Sequence, residues 1–378
     1  MVGARRRQRS KKNRVVLVTG GAGYVGSHAC KALWRAGFIP VTYDNLSRGH
    51  QDAVKWGPFV KGETGDKQLL VRTIREYGVD AVMHFAGFAY VAESMLKPEM
   101  YFRNNFTDPL NLLDAMVETG VQDIVFSSTC ATYGIPQMMP ISEEHPQTPI
   151  NPYGDSKLMF ERAVRWYGEI RGLNWVALRY FNAAGADLDG ELLEKHEPET
   201  HLIPLAIRAA LGGKPLMIMG SDYKTPDGTP VRDFIHVADL ADAHVRALEY
   251  IDAGGPSSAF NLGTGNGHSV TEIVAAVERV SGRQVPFIMS TRRPGDPAVL
   301  VADASKMRAA TGWQPKHSSL DVIVETALIG QEILVGERPM VALHPITVEP
   351  SRTETIVATA LPPIDPQVPS VAGLARVE

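Results

Sequence analysis

The chain has 378 residues, 44% of them hydrophobic and 21% charged, with a formal net charge of −4. These proportions are globular, so they exclude wholesale disorder and point to one large or two modest domains. No apolar run approaches the ~18–20 residues that span a bilayer. Two cysteines, Cys30 and Cys130, are too few for a disulfide framework or a cysteine-based zinc site.

The N-terminus is basic from Arg5 to Arg14. Only Val15-Val16-Leu17-Val18 follow before Thr19-Gly20-Gly21 breaks the run, short of the about 7–15 apolar residues of a secretory signal. The expected location is therefore cytoplasmic. With no interleaved aromatic residues, residues 1–13 read as a solvated, disordered arm, and neither nucleic acid nor membrane is expected as a partner.

Val15-Val16-Leu17-Val18-Thr19 is a β-branched run of the kind buried in a parallel sheet. It leads into Gly20-Gly21-Ala22-Gly23-Tyr24-Val25-Gly26 and a helical pattern from Ser27 to Ala36. Glycines at 20, 23 and 26 suit a dinucleotide site. The first allows the tight turn, the second lets a pyrophosphate approach the backbone, and the third lets helix and strand pack closely. The pyrophosphate then meets the free N–H groups of a helix N-terminus. A second strand, Pro40–Tyr43, ends at Asp44-Asn45. An acid there accepts hydrogen bonds from ribose hydroxyls and repels a 2′-phosphate, which favours NAD over NADP. Arg48 is the one nearby feature pulling the other way.

The alternation continues with Phe59-Val60-Lys61, a helix near Lys67–Tyr77 and a strand Ala81–Phe85, followed by Ala86-Gly87 at the carboxyl edge of the sheet. A long helical stretch is expected from about Pro98 to Thr119, then a strand Ile124–Phe126 ending in Ser127-Ser128-Thr129. Strands alternating with helices predict a parallel α/β sheet. After a proline-rich loop, Tyr153-Gly154-Asp155-Ser156-Lys157 opens a helix running to about Arg171. Tyr153 and Lys157, spaced i, i+4, emerge from one helix face. A phenol with pKa ~10 is a poor base at neutral pH, but a neighbouring ammonium favours the phenolate. Bringing it to about 7 requires roughly 4 kcal/mol, which the lysine together with an oxidised nicotinamide ring would supply in a dry site. Thr129 offers a hydroxyl to bond the reacting oxygen and relay its proton.

Further on, Leu202–Leu211, Val237–Ile251 and Ser269–Ser281 have helical patterning, while Leu216–Met219 and Ala259–Leu262 read as short strands. Beyond about Gly336, prolines at 339, 345, 350, 362, 363, 366 and 369 interrupt every possible helix. Residues 337–378 are expected to be an extended or disordered tail.

Taken together, Val18 to His28, Asp44-Asn45-Leu46, His84-Phe85-Ala86-Gly87, Val91-Ala92-Glu93-Ser94, Tyr153 to Lys157, Arg179 to Ala186, Tyr223 and Asp227 to Val237 carry a resemblance. Over roughly residues 14–325 the chain resembles the extended short-chain dehydrogenase/reductases, and among them the UDP-glucose 4-epimerases. The resemblance implies a doubly wound, Rossmann-like NAD domain over 14–181. It also implies a smaller mixed α/β substrate domain, mainly 182–330, with segments returning to the first. The implied reaction interconverts UDP-galactose and UDP-glucose through a transient 4-keto sugar, on a tightly bound NAD regenerated in each cycle. A homodimer through the helices at about 98–119 and 153–171 is also implied.

The resemblance assigns catalysis to Tyr153, Lys157 and Thr129. It assigns cofactor binding to Gly20, Gly23, Tyr24, Val25, Gly26, Asp44, Asn45, Glu63, Thr64, Phe85, Ala86, Gly87, Asn104, Ser127, Ser128, Tyr153, Lys157 and Tyr180. Substrate binding falls to Thr129, Tyr153, Asn182, His201, Leu202, Met217, Met219, Arg232, Arg292, Asp296 and Leu300. Within that set Arg232 and Arg292 take the phosphates and Asp296 the uridine ribose. No metal is implied. Asp233, His236 and His84 are read as structural.

Several positions depart from the family pattern. Glu63 replaces an aspartate at the adenine, Ala89 a lysine, and His201 an asparagine beside the nucleotide. Met217 and Met219 line the expected uracil pocket. Leu300 stands where strict hexose epimerases carry tyrosine, which suggests tolerance of N-acetylhexosamines. The alternatives are a UDP-N-acetylglucosamine or UDP-pentose 4-epimerase, a net oxidoreductase releasing NADH, a non-catalytic NAD-binding regulator, and a nucleotide-sugar dehydratase. The dehydratase reading lacks its acids, since Thr129 is followed by Cys130-Ala131.

Overall fold

The computed structural model describes residues 13–293 and 296–338. All but the last residue of the basic arm, Pro294-Gly295, and the proline-rich tail beyond 338 lie outside the described residues. In chain order the first half comprises β1 (Val15–Thr19), α1 (Tyr24–Arg35), β2 (Ile39–Asp44), β3 (Phe59–Lys61), α2 (Lys67–Tyr77), β4 (Ala81–His84), α3 (Val91–Leu96), α4 (Pro98–Phe102), α5 (Leu110–Thr119), β5 (Asp123–Thr129), α6 (Pro152–Arg171) and β6 (Asn174–Tyr180). The second half begins with β7 (Asn182–Ala184), α7 (Leu202–Ala210), β8 (Leu216–Met219), β9 (Val231–Arg232), β10 (Phe234–His236) and α8 (Val237–Asp252). It ends with β11 (Ser258–Leu262), β12 (His268–Ser269), α9 (Val270–Ser281), β13 (Phe287–Ser290), β14 (Val299–Leu300), α10 (Ser305–Thr311) and α11 (Leu320–Leu334).

Seven strands form one parallel sheet in the order β11-β6-β5-β4-β1-β2-β3. The order reverses between β1 and β4, and in doubly wound sheets ligands bind at that switch point, outside the carboxyl ends of the strands. Alternation along the strands sends side chains to two layers. Val16, Val18, Met83 and Val125 pack with Leu33 of α1 and Leu240 and Leu248 of α8. Leu17, Val82, Ile124 and Phe126 pack with Leu70 of α2, Leu112 of α5 and Phe160 of α6. Each such side chain, wholly removed from water, contributes about 1.5–3 kcal/mol. β11 comes late in the chain yet forms the edge strand beside β6. A third core lies between α7, α9 and α11, where Ile203, Ile273 and Ile323 are buried.

Two expectations change. The helix expected from Pro98 to Thr119 is not continuous: α4 ends at Phe102, and the ladder widens to a π-turn over Arg103–Thr107 before α5. Pro109 has no N–H to return to the preceding turn, which breaks the regular ladder there. The first helix begins at Tyr24 rather than Ser27, so Gly26 lies inside it. Among the described residues no helix is long and apolar enough to cross a membrane.

Candidate active site

The glycine-rich turn lies at the switch point. Gly20 has φ +75°, and a Cβ on it would stand 2.4 Å from the Ala86 backbone nitrogen. Ala86 and Phe85 in turn donate their N–H groups to the Thr19 carbonyl at 3.0 and 2.8 Å. A Cβ on Gly26 would fall 2.1 Å from the Gly20 carbonyl oxygen. The turn is therefore packed backbone to backbone. Gly23 is the N-cap of α1, no side chain caps the helix, and its first turn carries no acid. The amides around Tyr24 and Val25 keep their partial positive charge for an anion.

Asp44, at the end of β2, accepts from the amides of Ala22 at 3.0 Å and Leu46 at 2.8 Å. Burial raises its pKa, and those amides work against the shift. A carboxylate has about four lone-pair positions, so acceptor capacity remains for ribose hydroxyls. Asn45 closes the next turn by accepting from Ser47 at 2.9 Å. Glu63 accepts the Tyr43 hydroxyl on its carbonyl at 2.9 Å, and Thr64 beside it is buried. Arg48 does not act as the NADP-favouring feature that sequence suggested. Its guanidinium is bound to Glu93 at 2.9 Å and to the Glu197 carbonyl at 3.1 Å, and it lies over the rings of Phe88 and Tyr90.

Tyr153 and Lys157 are positioned by the start of α6. Asn151 caps the helix by accepting from Gly154 at 2.8 Å, and Pro152 occupies the first turn. A Cβ on Gly154 would lie 2.5 Å from the Ala131 carbonyl, so glycine lets α6 close against the turn that follows β5. That approach brings the hydroxyl of Thr129, the last residue of β5, close enough to Tyr153 to favour its phenolate. The Lys157 ammonium donates to the Ser127 carbonyl at 3.1 Å. Burial pushes the Tyr153 phenol up, with Tyr180 adding and Thr129 opposing, while burial brings Lys157 down to about 8. By themselves, then, the two side chains favour a neutral phenol. The expectation joined the lysine to an oxidised nicotinamide ring, and the lysine is not among the main groups acting on the phenol by itself.

Asn105, which sequence reasoning passed over for its neighbour Asn104, fastens the loop after β4 to α6. Its oxygen accepts from Phe88 at 2.8 Å and from Asn104 at 2.9 Å, and its nitrogen donates to Ser156 at 3.2 Å. The only sequence signal was adjacency to Asn104, because neither burial nor partners can be read from a lone asparagine. Ser127 and Tyr180 share a short hydroxyl pair. Ser128, on the opposite face of β5, donates to Glu161 at 3.1 Å within a buried Glu161–Arg179 pair. Only its backbone remains for the cofactor role expected of it. His84 pairs with Thr19 at 2.7 Å and is held down to about 3 by burial, and also by Lys157.

The expected substrate residues fall on several segments. Arg232, on β9, binds Asp296 at 2.5 Å and the Pro297 carbonyl at 2.7 Å. Arg292 binds Asp222 at 2.6 Å and stacks 4.3 Å over Tyr223. Leu300 on β14 runs beside Arg232 on β9 and packs against the cluster of Tyr133, Ile141, Phe181 and Ala302. Asn182 opens β7, paired with Phe234. Met217 and Met219 lie on β8, Met217 about half exposed. Leu202 starts α7, preceded by His201, which is bonded to Glu199 at 2.8 Å. Asp233 accepts from Thr264, Gly265 and Ala302 at 2.7 to 3.1 Å, a fully engaged structural carboxylate.

A doubly wound sheet with an uncapped glycine turn at its switch point, and a Thr/Tyr/Lys group at the next strand end, defines a nicotinamide-dinucleotide enzyme. Residues 16–263 match the model of the NAD dependent epimerase/dehydratase family, and the chain belongs to that family. It is 53% identical over 315 residues to a UDP-glucose 4-epimerase of Azospirillum brasilense, covering 83% of this chain and 90% of the relative. The structure is similar to that of UDP-glucose 4-epimerase from Brucella ovis in complex with NAD, with TM-score 0.82 and 52% identity, over 84% of this chain and 98% of that one. It is also similar to the Bifidobacterium longum UDP-glucose 4-epimerase in complex with NAD+ and UDP, with TM-score 0.80 and 38% identity, again over 84% and 98%.

Proposed function

We propose that this chain is a UDP-glucose 4-epimerase working on a retained NAD. The observation that carries the reading is the meeting of Thr129, Tyr153 and Lys157 beside Gly87, with Cys130 and Ala131 where a dehydratase needs acids. The cofactor fits this chain: the uncapped α1 amides take the pyrophosphate, Asp44 the adenosine ribose, and Lys157 the nicotinamide ribose. When bound, NAD supplies the acceptor and donor of hydride at C4 and a positive charge in its oxidised form.

Tyr153 removes the proton of the substrate 4-hydroxyl as C4 is oxidised, and returns it as C4 is reduced on its other face. Thr129 holds the 4-oxygen in place. Lys157 binds the nicotinamide ribose and, as an ammonium, adds its charge to that of the oxidised cofactor. Arg232 and Arg292 take the diphosphate, exchanging Asp296 and Asp222 for phosphate oxygens. Arginine's fork suits such ligands.

Two further readings belong with this one. Leu300 is smaller than the tyrosine of strict hexose epimerases, which favours UDP-N-acetylglucosamine as a second substrate. The protein is a cytoplasmic homodimer through α5 and α6, a pairing favoured by the exposed apolar side chains of Val117, Trp166 and Ile170. Trp166 and Ile170, four residues apart, share one helix face. Light scattering at micromolar protein tests the dimer, and a monomeric mass contradicts it.

Proton NMR of the anomeric region tests the activity. Purified protein with UDP-galactose and no added NAD should form UDP-glucose until the two equilibrate. Silence even after NAD is added contradicts the proposal.

A further inference from the structure

Between β7 and α7 the chain reads Glu194-x-His196-x-x-Glu199-x-His201, and the loop folds these four side chains onto one another. Their potential ligand atoms all lie within 4.8 Å of one another. His196 Nδ1 stands 3.3 Å from Glu194 Oε1 and 3.6 Å from Glu199 Oε2, and His201 Nδ1 stands 3.5 Å from Glu194 Oε1. A tetrahedral zinc ion with bonds of about 2.0–2.1 Å separates its ligand atoms by about 3.3 Å. These three separations are close to those of a tetrahedral shell.

Hydrogen bonding points the same way. The Glu199 side chain is 1% exposed. Its Oε1 accepts from the amides of Thr200 at 2.7 Å and His201 at 2.9 Å and stands 2.8 Å from His201 Nδ1, a contact that His201 gives up when that atom takes an ion. Among the described residues neither Glu199 Oε2 nor His196 Nδ1 has a hydrogen-bond partner, their contacts being ion pairs at 3.3 Å or more. Arg208 approaches Oε2 only to 3.9 Å and gives its Nε to Gln331. Buried polar atoms are ordinarily hydrogen-bonded, and here a carboxylate oxygen and an imidazole nitrogen stand 3.6 Å apart as an ion pair with no hydrogen bond between them. Tyr24 and Tyr90 wall the cluster, with ring centroids 5.8 and 6.0 Å from that of His196.

The neighbouring acidic group Asp187, Asp189 and Glu191 makes the contrast. Lys31 sits among those carboxylates at 2.6 to 2.7 Å and neutralises them. No such ammonium enters the His196 group among the described contacts.

We propose that Glu194, His196, Glu199 and His201 form a binding site for one divalent zinc-class cation. Two imidazoles and two carboxylates make a borderline donor set that suits Zn2+ over Mg2+ or Ca2+. The ion ties residues 194–201 into a closed loop against Tyr24, directly over the glycine-rich turn. It is structural, because all four tetrahedral positions are protein atoms.

The test uses the untagged full chain as purified, stripped of metal by chelator and titrated with Zn2+ in equilibrium dialysis, then with Co2+ followed in the visible. One Zn2+ per chain and the intense bands of tetrahedral Co2+ are expected. His196→Ala should weaken Zn2+ binding about 100-fold or more, and Asp189→Asn should leave it unchanged. Wild-type protein that takes up no stoichiometric Zn2+ overturns the proposal without recourse to any variant. Undiminished binding in a folded His196→Ala protein, or weak octahedral Co2+ bands, overturns it as well. None of these readouts depends on turnover, so they stand apart from the epimerase reading.

Discussion

The ammonium nitrogen of Lys157 lies so close to Gly87 that a Cβ placed on the glycine would stand 2.9 Å from it. The lysine is thereby confined between the loop after β4 and the Ser127 carbonyl. Gly87→Ala should leave the fold intact, since the nearest atom is the end of a flexible chain. It should displace Nζ and lower kcat about 10- to 100-fold. Circular dichroism with steady-state kinetics checks both halves. Wild-type kcat would mean that the position of Lys157 is not critical.

Thr129 has two duties that can be separated. Its hydroxyl accepts from the Ala131 amide at 3.1 Å and meets Tyr153. Thr129→Val should cost about 1 kcal/mol of stability through the lost cap. It should also lower kcat about 100-fold or more through the lost contact with the reacting oxygen. Thr129→Ser should restore most of both. Denaturant titration and kcat measured on the same samples distinguish the two effects.

Gly26→Ala would drive a methyl group into the Gly20 carbonyl, where only backbone is available to move. Overpacking of this kind costs about 1–3 kcal/mol. Because the displaced atoms form the pyrophosphate turn, the protein should also be purified with little NAD. The absorbance and extracted cofactor of the purified variant give the answer.

Four histidines set the acid limit. Burial holds His28, His236 and His244 down to about 4 and His84 to about 3. In the unfolded chain each titrates near 6.5. Their contribution is therefore complete above pH 6.5 and is lost as pH falls from 6.5 through 4, where the unfolded state binds more protons. Each of the first three is worth up to about 3 kcal/mol and His84 up to about 5. His244, packed on Phe85 at 4.6 Å with the Leu240 carbonyl as its one hydrogen-bond partner among the described residues, is the cleanest probe. His244→Leu should make the loss of stability between pH 6.5 and 4 shallower in chemical denaturation. An unchanged slope would contradict the burial argument.

The legible parts of the fold were those with a strong local pattern. Lys67–Tyr77 and Leu216–Met219 form where the pattern places them, because amphipathic period and clear stops coincide. β13 carried no such signal: Phe287, Ile288 and Met289 are all exposed, so no alternation marks one face. At the site, Tyr153 and Lys157 were readable because one helix turn sets their relation. The union of Glu194, His196, Glu199 and His201 was not, since it depends on the path of an irregular loop. Likewise the commitment of Arg48 to Glu93 joins residues 45 positions apart, which no local pattern encodes.

The central claim is that C4 is oxidised and reduced on one retained cofactor. UDP-glucose deuterated at C4 of the glucose, incubated with the protein in ordinary water and followed by NMR, tests it directly. The label should reappear at C4 of UDP-galactose, with none released to solvent and no NADH accumulating. Loss of the label to water, or a build-up of free NADH, would contradict the account.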